Sequence, residues 1–182
     1  MGWKSTQSGY GGPAIALHWI AVVLIVAAYC TMLFEDVFPK KSPERAAMAL
    51  AHYILGLSVF ALVWIRLLVR VSGVNPLVDP PIAPWQRRAA DWVQWGLYAF
   101  MLIMPLLGWA TASARTAQVV LFGFELPRLV SPDRELAKTL KGLHETGATI
   151  GYFLIGGHAA AALFHHYFLR DNTLRMIWPR RR

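Results

Sequence analysis

The chain has one cysteine, Cys30, and almost no charge over long stretches of its 182 residues. A lone cysteine excludes an intrachain disulfide, and inside an apolar run it reads as a small packing residue. Asp, Glu, Lys and Arg make up only 15% of the chain, against roughly 25% in soluble domains. They are missing altogether from Ala14 to Phe34, from Ala46 to Ile65, from Trp92 to Ser113 and from Thr146 to Leu169. Runs so poor in charge lack the polar outer face that helices of a water-soluble bundle require. No internal repeat or low-complexity tract is visible, and the chain reads as one domain, 1–182.

Each uncharged run has about 20 residues or more, enough to cross a hydrocarbon core of about 30 Å. In lipid every backbone amide must find its partner within the segment, so the runs are helices. The expected fold class is all-α, an integral membrane four-helix bundle with spans at about 14–34, 46–69, 90–113 and 142–169. The first run is longer than a signal-peptide core of about 7–15 residues, and it carries His18; it is expected to be retained. Residues 1–13 read as a loose segment. Asn75-Pro76 and Asp79-Pro80-Pro81 block helix and predict an irregular second connection. The third connection is the longest, and its apolar piece Val119-Val120-Leu121-Phe122-Gly123-Phe124 is expected to lie on the outer surface. Ser131-Pro132 followed by Asp133 and Glu135 is a helix start, so the fourth helix is expected to begin before its uncharged core. Pro105 is expected to kink the third. Trp3, Trp85, Trp92, Trp109 and Trp178 fall near span ends, as interfacial aromatics do.

Four spans put both termini on one side. That side collects 10 basic and three acidic residues; the other collects 8 and seven, so the net charges are +7 and +1, the stated total of +8. Basic residues favour the cytoplasmic face, which makes both termini cytoplasmic. The tail Trp178-Pro179-Arg180-Arg181-Arg182 is suited to anionic lipid beside a span, and no nucleic-acid partner is expected.

Against this apolar background stand His18, His52, His144 and His158. Ionisable groups at membrane depth are costly, so they are functional by default. His144 and His158 are 14 residues apart, about 40° in azimuth and about 21 Å along a helix axis. One helix face thus carries two sites. Helix direction matches His18 with His158 in depth, and His52 with His144. Four-ligand zinc requires convergence in one place, whereas these donors divide into twos. Two imidazoles filling both axial positions of a haem iron make an electron carrier with no open site for a substrate. No C-x-x-C-H occurs, so such a haem is held non-covalently. Gly56, Gly147, Gly151, Gly156 and Gly157 lie close to these histidines and would let a flat macrocycle approach the backbone, although small residues also promote helix packing in membranes. His165 points towards the same interior as His158 and is a candidate contact for a quinone head group or a haem propionate; an interfacial histidine at a helix end is the plainer alternative. Arg66 and Arg70 are i,i+4 and can pair with propionates or snorkel to water. On the other side Lys40, Lys41, Arg45, Arg134, Lys138 and Lys141 can attract a small anion, in a field diluted by nearby acids.

The segments Ala16-Leu17-His18-Trp19, Ala51-His52-Tyr53, Leu143-His144-Glu145-Thr146, Gly151 to Ala161 and His165 to Leu174 resemble the bacterial cytochrome b561 family over nearly the whole chain. The resemblance implies a multi-pass protein of the bacterial inner membrane with two b-type haems, whose axial ligands carry over to His18, His52, His144 and His158. Within the family the chain is similar to superoxide oxidases. That likeness implies oxidation of superoxide at the periplasmic face and reduction of ubiquinone in the membrane, with quinone near His165 on the cytoplasmic side. Other relatives serve as membrane anchors and electron conduits for a partner hydrogenase or dehydrogenase. A haem-storing or purely structural bundle is the non-redox alternative.

Overall fold

The structure, a computed structural model, describes residues 2–115, 120–121 and 124–178. Four helices are long and apolar enough to cross a membrane. They are α1 (Gly12–Glu35), α2 (Pro43–Val71), α3 (Pro84–Ala114) and α4 (Arg134–Phe164). Residues His165–Leu169 continue α4 as a π-helical turn, and a short α5 (Thr173–Ile177) follows. Two-residue strands β1 (Val120–Leu121) and β2 (Phe124–Glu125) pair antiparallel in the third connection. The rest of the apolar 119–124 piece and the Arg180–Arg182 tail lie outside the described residues. The fold class is the expected one, an all-α transmembrane bundle.

The helices outrun the uncharged runs because their starts are capped by polar residues. At α2 the Ser42 hydroxyl accepts from Arg45 N at 3.2 Å, and Pro43 takes the first helical position, where its missing N–H costs nothing. At α3 the Gln86 side chain accepts from Ala83 N at 2.9 Å, the returning half of a capping box. At α4 Asp133 Oδ1 accepts from Leu136 N at 2.9 Å, so α4 begins ahead of its uncharged core, as the Ser131–Glu135 pattern predicts. Pro105 lies inside α3.

Contacts divide the chain into two compact units, Met1–Ala21 with Leu62–Ala99 and Gly151–Arg182, and Val22–Ala61 with Phe100–Ile150. Every long helix contributes residues to both. In the first unit the N-terminal residues are not loose, contrary to expectation. Thr6 and Gly9 exchange backbone bonds, Ser5 O accepts from Val74 N at 3.4 Å, and Gln7 O accepts from Leu77 N at 2.9 Å. Gly11 is needed for this fold-back, because a Cβ there would stand 2.7 Å from the Trp3 carbonyl. The second connection is irregular as predicted, yet tied at both ends. Asp79 O accepts from Asn172 N, and Asn172 Oδ1 accepts from Asp79 N. Trp19 Nε1 donates to Ile177 O at 2.9 Å, which docks α5 on α1. Backbone groups outside helices must find partners; here three segments remote in sequence satisfy one another.

In the second unit the third connection is fastened to the end of α3. Ser113, 2% exposed, accepts from Leu129 N at 3.2 Å, Trp109 Nε1 donates to Pro127 O at 3.1 Å, and Ala114 O accepts from Asp133 N. Trp109 is thus spent on loop anchoring. Trp3, Trp85, Trp92 and Trp178 are exposed, as interfacial aromatics are. Large apolar side chains such as Leu68, Phe153 and Phe168 are exposed as well, the surface a lipid-facing helix presents.

Candidate functional site

The four apolar-run histidines stand as two pairs, one in each unit. In the first unit His18 of α1 and His158 of α4 have ring centroids 6.4 Å apart. In the second, His52 of α2 and His144 of α4 are 6.0 Å apart. Two imidazoles that held one metal ion between them, each through a metal–nitrogen bond of about 2.0–2.1 Å, would have ring centroids roughly 6.3 Å apart. Both pairs fall close to that spacing. Among the described residues no three His, Cys, Asp or Glu gather as metal-ion donors; the imidazoles stand in twos.

The surroundings also fit a flat, iron-bearing macrocycle. A Cβ added at Gly56, one turn beyond His52, or at Gly156 or Gly157, beside His158, would meet nothing within 4 Å. Gly147 instead packs on Met104. His52 is oriented from behind, its Nδ1–H donating to Ala28 O at 3.0 Å. That bond fixes the tautomer and leaves Nε2 free to ligate. Thr31 Oγ1 donates to the same carbonyl at 2.7 Å and lies 3.4 Å from His52 Nδ1. Tyr29 donates to Ala148 O at 2.7 Å, joining α1 to α4 one turn beyond His144. His144 rests against Gly108 of α3, where a Cβ would stand 3.3 Å from its Cε1. The third helix, which carries no histidine, therefore supplies the seat of one imidazole. Gly108, Thr31 and Tyr29 carry no chemistry legible in the sequence, and sequence reasoning missed them.

Of the secondary candidates, Arg66, Arg70 and His165 lie in the first unit. Arg66 donates through Nη1 to Leu17 O at 2.9 Å, next to His18, and its Nε is buried without a hydrogen-bond partner among the described residues. Arg70 lies over Trp95 at 5.2 Å and Tyr98 at 5.6 Å, the geometry of cation–π contacts. Neither arginine simply snorkels. His165 Nδ1–H donates to Asp171 Oδ2 at 2.6 Å. Asp171, which no sequence pattern singles out, is 2% exposed and also accepts from Thr173 N at 2.9 Å. Arg170 closes the π-helical turn in the left-handed region at φ 55°, and this brings Asp171 back onto His165. The basic cluster near the start of α2 and α4 is partly neutralised. Arg45 is held by Glu35 and Asp36, and Lys141 by Glu145, the dilution by acids anticipated from the sequence.

Burial pushes the Asp171 carboxyl up, but the bonds from His165 and Thr173 outweigh it and hold the group below the usual carboxylate range. A lowered folded-state value means that Asp171 contributes stability in full above its unfolded value of about 3.9. That contribution is lost as pH falls through the folded value. Thermal unfolding in detergent is expected to show a stability step only below about pH 4, and Asp171→Asn is expected to remove it. A step of equal size in the variant would assign the loss to other carboxylates.

Paired, deeply placed imidazoles in an apolar four-helix membrane fold define a membrane cytochrome b. Residues 9–180 match the family described as prokaryotic cytochrome b561, and the chain belongs to that family. It is 39% identical over 168 residues to cytochrome b561 homolog 1 of Escherichia coli K12, covering 92% of this chain and 96% of that one. It is 30% identical over 168 residues to the probable superoxide oxidase CybB of Yersinia pestis, covering 92% and 94%. It is 29% identical over 184 residues to cytochrome b562 of Cereibacter sphaeroides, covering 96% and 98%. Members of the family bind haem b, and this chain is a multi-pass, haem-binding electron-transport protein.

Proposed function

We propose that the chain holds two b haems, one ligated by His18 and His158 and the other by His52 and His144. It uses them to oxidise superoxide to oxygen at the periplasmic face and to reduce ubiquinone in the membrane. The observation that carries the reading is the spacing of both imidazole pairs, 6.4 and 6.0 Å between centroids. Each haem supplies a one-electron ferric–ferrous couple; the chain supplies position, exclusion of water and potential. Two superoxide anions give two oxygen molecules and two electrons, and with two protons these make one quinol. His165, Arg66 and Arg70 are the proposed contacts for a quinone head group or haem propionates, with both termini cytoplasmic and the excess of positive charge on that side. The likeness to the probable superoxide oxidase CybB of Yersinia pestis supports superoxide as the donor.

The test exposes purified protein to an enzymatic superoxide source with ubiquinone present. Haem absorbance is expected to pass to the reduced form, and quinol is expected to accumulate at half the molar rate of superoxide consumed by the protein. Superoxide dismutase is expected to abolish both signals. Unchanged haem spectra and no quinol under that flux would remove superoxide as donor and leave a conduit for a partner hydrogenase or dehydrogenase, to be sought by co-purification.

A further inference from the structure

We propose that Arg66 holds the reduction potential of the His18/His158 site above that of the His52/His144 site, so that an electron entering the chain settles in the first unit. The inference rests on the two-haem reading and adds the direction in which these sites pass charge.

Arg66 is not at the end of a free side chain. Its Nη1 donates to the carbonyl of Leu17, the residue before His18, at 2.9 Å. Its guanidinium lies 5.9 Å from the centroid of Tyr98, and its Nε is buried with no partner among the described residues. A snorkelling arginine carries its head group to water; this one keeps part of it away from water. The bond to the Leu17 carbonyl places that charge beside the His18 end of the pair. In the second unit the acid next to His144, Glu145, is paired with Lys141.

Reducing a ferric site adds one negative charge to it. A fixed cation nearby stabilises the reduced form and raises the potential, and a medium less polar than water lengthens the reach of that effect. The sign for Arg66 is the same whether the free Nε meets a carboxylate of the bound group or stands alone. In the first case loss of Arg66 exposes a negative charge; in the second it removes a positive one. Either way the reduced form loses support.

Redox titration of the full-length protein, followed by haem absorbance, tests this. The unaltered protein is expected to show two couples, the higher belonging to the haem that His158→Ala removes. Arg66→Met removes the charge and the bond to Leu17; Arg66→Gln removes the charge and keeps a donor for that carbonyl. Both are expected to shift the oxidised-to-reduced ratio of that haem, at fixed ambient potential, on the order of tenfold towards oxidised. The haem that His52→Ala removes is expected to stay within error. Arg66→Lys is expected to titrate near the unaltered protein. The reverse order of couples, equal shifts in both haems, no shift with either neutral variant, or a shift confined to the other haem would each overturn the proposal. Binding of fewer than two haems by the unaltered protein would instead defeat the two-haem reading.

Discussion

A chain carrying His158→Ala is expected to bind about half the haem of the unaltered chain and to lose one low-spin signal while keeping the other. His158 and His18 lie in one unit, 6.4 Å apart. Removing one imidazole leaves a haem there with a single protein ligand at most, and non-covalent retention then depends on packing alone. The His52/His144 pair belongs to the other unit, where Ala28 O fixes the His52 ring, so its haem is expected to stay. His52→Ala is the mirror experiment and is expected to remove the complementary signal. The check is the haem-to-chain ratio of each purified variant, read with its reduced-minus-oxidised spectrum. Loss of the same signal in both variants, or of neither, would break the pairing.

Gly108→Leu is expected to remove the His52/His144 haem without touching a ligand. A Cβ at Gly108 would stand 3.3 Å from Cε1 of His144 and 3.7 Å from its Nδ1. Alanine there asks the ring to give by a few tenths of an ångström; a leucine adds three further carbons that crowd the place the ring occupies. Overpacking of this kind costs about 1–3 kcal/mol in well-packed interiors, and a ligand ring has less freedom than most side chains to move away. Gly108→Ala is expected to retain the haem with a shifted potential, and Gly108→Leu to lose it. Gly147→Ala is expected to be the milder change, since its added Cβ meets the sulfur end of Met104, a flexible side chain that can turn aside. Full haem content and unaltered spectra in Gly108→Leu would show that α3 does not set the His144 ring.

The spans were legible because a hydrocarbon interior dictates both their length and their lack of charge. The pairing of His18 with His158 and of His52 with His144 was legible because helical rise and direction fix depth, and the two pairs stand together as that geometry requires. What the sequence hid has physical reasons too. Asp171 follows the last apolar run and looks like any surface acid; only the π-helical turn and the left-handed Arg170 fold it onto His165. The fastening of residues 5–9 to 74–77 uses backbone groups alone, which leave no side-chain signature, so the segment read as loose. Gly108 sits in a helix without histidine, and small residues in membrane helices are too common to mark a seat. Arg66 and Arg70 carry the spacing of ordinary interfacial cations, and the buried Nε and the aromatic rings around them appear only in three dimensions.

The most direct test of the paired-imidazole account is electron paramagnetic resonance of the oxidised, purified protein together with its haem-to-chain ratio. The account predicts two haems b per chain, both low-spin ferric with two nitrogen axial ligands. A ratio of one, or a high-spin five-coordinate signal at either site in the unaltered protein, would contradict it.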